Sequence, residues 1–484
     1  MEELLNKYET IIGLEVHVQL STKSKAYCSD ANVFGTTPNT CTSPISLGHP
    51  GTLPKANKKV IEHAIKLGLA FNCKINKENL YARKNYYYTD LPKGYQITQD
   101  KTPICTGGHV ELYDQNGDLN TVKLTRIHME EDAGKSIHDL DPFNSLIDLN
   151  RAGVPLLEIV SEPDLRSSKE AYDYLYEIRK IVRYLNICDG NMEEGSLRCD
   201  ANISVKPKGS GKLRNRVEVK NLNSFSNVQK AIELERNRQI LTYENNGTIE
   251  QETRNYNAKN NSTTILRKKE DAHDYRYFPE PDIQPVLISS KMIESIQKEM
   301  PSLPNELFQK YISQYNLSVY DSKNLTENKD LSMFFESVTK FTKHYKIAAN
   351  IIMGFIKAYL NEKSKEIAEI NLKPNFIAEL TDMIEKEEIN YSIASQKIFP
   401  EMIKYCDKSP KEIAKEKNWI QKKNDDLLKK YVIESLKKYP EKVLAYKAGN
   451  KNLLGLFMGE AMKISKGTAN PKILNELIKK ELDS

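Results

Sequence analysis

The sequence predicts an α+β protein, a sheet-rich first part followed by a region built only of helices. Three observations predict it. Short segments of the first part alternate apolar and polar residues with period two, the repeat of a strand. Glycine turns and prolines punctuate those segments, with only a few helical patterns between them. Beyond Pro281-Asp282-Ile283-Gln284-Pro285, glycine is absent until Gly354 and apolar residues recur at three and four. Strands mixed with hairpin-like turns favour α+β over a doubly wound sheet.

Along the chain, residues 10–20 form the clearest strand. Ile12, Leu14, Val16, Val18 and Leu20 share one face; Glu15, His17 and Gln19 share the other. Arg83-Lys84-Asn85-Tyr86-Tyr87-Tyr88 reads either as a plain strand or as a base-stacking, phosphate-holding segment. Residues 90–94 form a turn into a strand at 95–99, and residues 156–162 alternate more weakly. Ser167-Ser168-Lys169-Glu170 is a capping-box pattern. It opens a helix with Tyr172, Leu175, Ile178, Val182 and Leu185 at helical spacing. In residues 198–205, Arg198, Asp200, Asn202 and Ser204 oppose Cys199, Ala201, Ile203 and Val205, and residues 216–220 repeat the alternation around Glu218. A loosely periodic helix runs from Ser226 to about Thr242.

In the helical part, Phe334, Phe335, Val338 and Phe341, then Ile347, Ile351, Ile352 and Phe355, mark amphipathic faces. Lysines dominate from Ser409 to Asn452, either as a solvated helix face or as a surface for a phosphate backbone. Small residues such as Gly455 and Gly459 then suggest close approach of another backbone. The expected boundaries are 1–292, 293–408 and 409–484.

The 484 residues carry a net charge of only +5, so global basicity does not demand nucleic acid. Seven scattered cysteines, none in a C-x-x-C, indicate reduced thiols. No signal or transit pattern opens the sequence, and no apolar run could span a bilayer, so a cytoplasmic protein without membrane contact is expected.

A sheet with one greasy face and one face of paired charges suggests a hard-cation or phosphate site. Glu15, Glu131, Glu158, Asp200 and Glu218 are too many acids for a transition-metal centre, and Mg²⁺ prefers oxygen ligands. In residues 126–136, Gly134-Lys135-Ser136 invites a P-loop reading. The glycine required five positions earlier is Met129, and three acids crowd the segment, so that reading fails. Mg²⁺ beside Lys135 as a phosphate partner fits better. No G-x-S-x-G and no local cysteine–histidine signature is present.

Taken together, these stretches resemble the GatB family, the B subunits of the aspartyl/glutamyl-tRNA amidotransferases. The resemblance rests on residues 12–20, 83–88 with 90–96, 128–136, 148–155, 192–202, 220–224, 274–282 and 466–471, which follow the family's order. It implies a glutamine-synthetase-like cradle domain, a helical domain and a small helical tail that binds tRNA. It also implies ATP-dependent phosphorylation and amidation of Glu-tRNA(Gln) or Asp-tRNA(Asn), with ammonia from a glutaminase A subunit and a small C subunit completing a heterotrimer.

Carried onto this sequence, the family's Mg²⁺ cluster falls on Glu15, His17, Glu131, Glu158, Asp200 and Glu218, with Glu15, His17, Glu131 and Glu158 nearest the chemistry. Alternation alone would pair Glu130, not Glu131, with Arg126 and His128; the resemblance favours Glu131. Lys84, Lys135, Arg151 and Arg198 are candidates for ATP and substrate, and Lys463, Lys466 and Asn470 for tRNA. Some relatives carry four zinc cysteines; here Cys28 and Cys41 remain beside Asp30, Ser43 and Pro44, so no zinc is expected. Two other functions compete. A non-catalytic tRNA-binding scaffold leaves the acids unexplained, and a standalone ligase for a small carboxylate would need no tRNA.

Overall fold

The computed structural model describes residues 2–138, 140–268, 275–420, 425–465, 469 and 471–483. The chain divides into two compact units, Met1–Asn305 and Glu306–Ser484.

The described residues of the first unit build a ten-stranded sheet. Its strands are β1 (Tyr8–Gln19), β2 (Lys74–Ile75), β3 (Cys105–Thr106), β4 (His109–Tyr113), β5 (Leu119–Glu131), β6 (Pro155–Ser161), β7 (Leu197–Pro207), β8 (Val217–Leu222), β9 (Glu252–Asn257) and β10 (Ser262–Lys268). Their order is β10-β9-β8-β7-β1-β6-β5-β3-β2, with β4 pairing β5. β1 lies in the middle, antiparallel to both β6 and β7. Among the described strands only β8 and β9 pair in parallel, so the sheet is mixed but mainly antiparallel, in keeping with α+β.

The period of two decides what each face does. Ile12, Val16 and Val18 are wholly buried, in one core with helical side chains from α1 (Lys58–Ala70), α2 (Ser168–Tyr184), α3 (Phe225–Glu244) and α4 (Ser290–Lys298). Burying each such side chain contributes roughly 1.5–3 kcal/mol. A one-residue slip of β1 would turn this row outward and the charged row into the core, so the register is fixed.

α2 starts as its sequence predicts: the Ser167 side chain accepts from the Glu170 N–H. The Glu170 carboxylate, however, accepts from the Arg166 N–H at 2.8 Å. α3 is weakly periodic because polar side chains occupy its buried side. Gln239 donates to the Ile203 carbonyl at 3.0 Å, and Glu235 pairs with Arg238. A separate small sheet places Ala82–Asn85 between Tyr95–Thr98 and Phe278–Pro279. Gly94, at φ +71°, makes the turn before its second strand.

The second unit is helical throughout its described residues. The helix Lys329–Val338 buries Leu331, Phe335 and Val338. Phe341, expected on the same face, is 60% exposed because the helix has already ended. Helices Asp425–Lys437, Leu454–Ile464 and Pro471–Asp483 share a core of Leu428, Val432, Phe457, Leu474 and Ile478. A Cβ at Gly455 or Gly459 would meet nothing within 4 Å, so among the described residues no backbone approaches there. No described helix is long and apolar enough to cross a membrane.

Candidate metal site

The exposed face of β1 carries Glu15 and His17, and antiparallel pairing sets acids beside both. Glu15 is opposite Asp200 of β7, and His17 is opposite Glu158 of β6. β8 adds Glu218 beside Asn202, and β5 adds His128 opposite Glu158 and Glu130 opposite Leu156. Two clusters result. Ligand atoms of Glu15, Asp200 and Glu218 lie within 4.8 Å of one another, and so do those of His17, Glu130 and Glu158.

The first cluster is held by a cation from its own strand. Lys220 Nζ lies 2.5 Å from Asp200 Oδ2 and 3.0 Å from Glu218 Oε1. Asn202 Nδ2 donates to Glu15 Oε1 at 2.9 Å, and Thr253 donates to Glu218 Oε2 at 2.7 Å. Burial, then the charges of Glu158, Glu218 and Asp200, push the Glu15 carboxyl up. Burial alone would also raise Glu218, but Lys220 and the Thr253 hydrogen bond outweigh it and hold this carboxyl below its usual range.

In the second cluster two imidazoles share Glu158. His17 Nε2 lies 3.5 Å from Glu158 Oε2 and 3.6 Å from Glu130 Oε1, and His128 Nε2 lies 3.1 Å from Glu158 Oε2. Burial opposes protonating either ring, yet the carboxylates prevail and raise His17 to about 8 and His128 to about 9. Burial would raise Glu158, but the two imidazoles outweigh it and hold its carboxyl well below the ordinary range.

These donor sets fit a cation. Three carboxylates suit Mg²⁺, which demands oxygen and keeps waters or phosphates in its remaining positions. The mixed nitrogen and oxygen set around His17 would accept Mg²⁺ or a softer ion. Lys220 already puts one positive charge among the carboxylates.

Of the residues expected from the sequence, Glu15, His17, Glu158, Asp200 and Glu218 converge on this face. Glu131 does not. Its side chain alternates to the other side of β5, where it pairs with Lys93 and accepts from the Ile97 N–H at 2.8 Å. Glu130 takes the place assigned to it, as the period of two had indicated.

Arg198 and Arg151 meet at the buried Asp132. Arg198 Nη2 donates to Asp132 Oδ2 at 2.8 Å, Gln19 Nε2 donates to the same oxygen at 2.9 Å, and Arg151 Nε lies 3.6 Å away. Lys84 Nζ stands 4.7 Å over the Tyr275 ring. Lys135 is exposed, on the antiparallel pair of Lys135–Ile137 and Leu146–Asp148. Lys463 is exposed in the last turn of its helix. Lys466 and Asn470 lie outside the described residues. Near Cys28 and Cys41, Ser46 Oγ donates to Asp30 Oδ2 at 2.5 Å, and Lys25 Nζ donates to the Cys41 carbonyl at 2.7 Å.

Sequence reading missed His128, Asp132 and Lys220. Lys220 and His128 each sit two residues from an acid of the clusters, so the strand period could have found them. Asp132 lies just past the end of β5, where alternation no longer reports direction.

A mixed sheet with helices under one face and two acid clusters on the other defines an α+β protein with a cation-competent cleft. Comparison with known proteins narrows this. The family model described as the GatB/GatE catalytic domain matches residues 10–294, and the one described as the GatB domain matches 333–482. A protein of Thermodesulfovibrio yellowstonii is 49% identical over 98% of this chain and 99% of its own length. One from Clostridium novyi is 47% identical over 98% and 99%. One from Persephonella marina is 46% identical over 98% and 100%. All three are named as the B subunit of an aspartyl/glutamyl-tRNA(Asn/Gln) amidotransferase. The chain belongs to the GatB family.

Proposed function

We propose that this chain is the synthetic subunit of a glutamine-dependent tRNA amidotransferase. It converts Glu-tRNA(Gln), Asp-tRNA(Asn) or both to the amide with ATP. The observation that carries this reading is the pair of acid clusters sharing β1, because the chemistry needs a cation between two anionic reactants. The side-chain carboxylate of the aminoacyl ester attacks the terminal phosphorus of ATP, and ADP leaves. Ammonia then displaces inorganic phosphate from the acyl phosphate, and one proton is lost to a base. Mg²⁺, when bound, neutralises and aligns the two anions. Glu15, Asp200, Glu218, His17, Glu130 and Glu158 would hold it.

The chain's own residues do the rest. Rigid neighbouring strands fix the carboxylates. Arg198 and Arg151, positioned by Asp132, offer donors to the substrate's anionic oxygens. Glu158, kept ionised by two imidazoles, offers negative charge to the incoming ammonium. An acyl phosphate hydrolyses readily, so ammonia must arrive shielded from water. That calls for a partner glutaminase, with a small third subunit. The names of the relatives, which make each of them one component of a larger amidotransferase, agree with this. The lysine-rich tail supplies charge for the tRNA backbone.

The test is the purified three-subunit complex with ATP, glutamine and each misacylated tRNA. Amide, ADP and phosphate should form in equal amounts. Glu15→Ala or Asp200→Ala should abolish amide formation and leave glutamine hydrolysis intact. Full amidation by both variants would leave only the scaffold role.

A further inference from the structure

We propose that Lys220 is a tethered cation that holds the first cluster together while no divalent ion is bound, and that it swings to the rim when one enters. This rests on the Mg²⁺ role proposed above and adds how that ion gains the cluster.

Strand geometry aims the lysine. On β8, Val217 and Val219 are wholly buried in the core, so Glu218 and Lys220 share the polar face. β7 and β8 pair with Ala201 opposite Val219 and Cys199 opposite Leu222. Two residues of β8, Lys220 and Asn221, therefore stand against Asp200 alone, which is a β-bulge. Asn221 takes the extra step at φ +66°, a left-handed conformation that asparagine adopts more readily than most residues. Its Nδ2 donates to the Tyr256 carbonyl at 3.2 Å and pins the bulge. A bulge bends its strand and redirects a side chain. Here it sets Lys220 Nζ against Asp200 and Glu218, two of the three carboxylates of the cluster.

Those contacts put the ammonium where a divalent ion would sit. Mg²⁺ takes carboxylate oxygens at about 2.0–2.1 Å. An ammonium 2.5 and 3.0 Å from the same two carboxylates would face that ion with like charge at contact range. One of them must yield, and the lysine can. Its side chain is 34% exposed, so it reaches solvent without unpacking the core. Lys25 marks the contrast: its side chain is wholly enclosed and donates to the Cys41 carbonyl at 2.7 Å. Arg267 Nη2 lies 3.6 Å from Glu218 Oε2, but its other nitrogens donate to Thr253 and to the Tyr275 hydroxyl, which keeps it at the edge of the cluster. After the exchange the four-carbon stem holds Lys220 beside the metal, where its charge adds to the metal's as the two anionic reactants meet. The second cluster differs. Among the described residues, Glu130 and Glu158 pair with the imidazoles of His17 and His128 and with no lysine or arginine, so a divalent ion enters there without displacing one.

The experiment watches the lysine itself in the purified three-subunit complex. An amine-acylating reagent is applied with and without Mg²⁺, and the labelled peptides are read by mass spectrometry. Mg²⁺ should raise the labelling rate of Lys220 by about threefold or more and leave that of Lys25 unchanged. Mn²⁺ titrations followed by electron paramagnetic resonance supply the second readout. Lys220→Met should tighten Mn²⁺ binding by about fivefold or more, and Lys220→Arg should leave it within about twofold. Asp200→Asn on the Lys220→Met background should abolish the gain, which assigns it to the first cluster. A strut that merely braces the strands predicts weaker or equal Mn²⁺ binding in Lys220→Met, and that result overturns the exchange. Labelling that Mg²⁺ leaves unchanged overturns it too, even beside tighter binding, since loss of a fixed charge would do as much. Should Lys220→Met fail to fold, labelling of the wild type decides. A complex that binds no Mn²⁺ in any of these forms at saturating concentration overturns the Mg²⁺ role, and the exchange with it.

Discussion

Exchanging the two neighbouring glutamates Glu130 and Glu131 separates their roles. Glu131 and Lys93 are buried partners, with side chains 3% and 11% exposed. Glu131 also satisfies the Ile97 N–H. Glu131→Ala leaves a buried ammonium and a buried amide without their acceptor. Breaking a buried pair from one side costs about 3–5 kcal/mol. Urea unfolding of the full chain, followed by hydrogen exchange in peptides covering β5, should show a loss of that size. The double variant with Lys93→Met should recover part of it. Cation binding should behave oppositely. With Mn²⁺ as a paramagnetic stand-in for Mg²⁺, Glu130→Gln should weaken binding about tenfold or more, and Glu131→Ala should leave it within about twofold. Equal loss of Mn²⁺ from both variants, or a stability loss below about 1 kcal/mol for Glu131→Ala, would refute this division.

Lys220→Met removes the cation that Asp200 and Glu218 share, so the chelated protein should melt lower and added Mg²⁺ should recover more of the loss than in wild type; no difference in melting would count against that role. Burial, helped by Lys59 and Lys66, lowers His63 to about 4, so the fold keeps this ring neutral. Its contribution is therefore complete above about pH 6.5 and is lost as pH falls towards 4, by up to about 3 kcal/mol; His63→Leu should flatten the urea midpoint over that window. Gly134→Ala would place a Cβ 2.9 Å from the Asp90 carbonyl and 3.0 Å from that of Asp148. It should destabilise by about 1–3 kcal/mol in denaturant titration, and it should impair amidation because Arg151 donates to the Gly134 carbonyl. Lys463→Ala with Lys466→Ala should weaken tRNA binding and lower its salt slope, leaving tRNA-independent ATP hydrolysis intact; an unchanged slope removes both from the interface.

The sheet face was legible because strand geometry is rigid. Once Ile12 to Leu20 form one face, Glu15 and His17 have no choice but the other, and the same holds for Asp200 and Glu218. The pairing that brings the acids of five strands together was not legible, because register is set by long-range partners. Glu131 shows what the period could do if followed: alternation gave Glu130, and the structure places Glu130 in the cluster. For Arg151 and Lys135 the period gives no direction, and for Arg198 it gives the face but not the partner. Their long side chains go where partners are, and Asp132 captures two of them while Lys135 stays in solvent. Phe341 failed for a local reason, since helical spacing reports burial only while the helix lasts.

The most direct measurement is an anomalous-scattering map of crystals soaked in Mn²⁺. Density is expected within about 2.0–2.6 Å of carboxylate oxygens on neighbouring strands, from Glu15, Asp200 and Glu218 or from Glu130 and Glu158 with His17. Mn²⁺ ordered elsewhere on the chain, with this face bare at saturating concentration, would contradict a cation gripped between the strands.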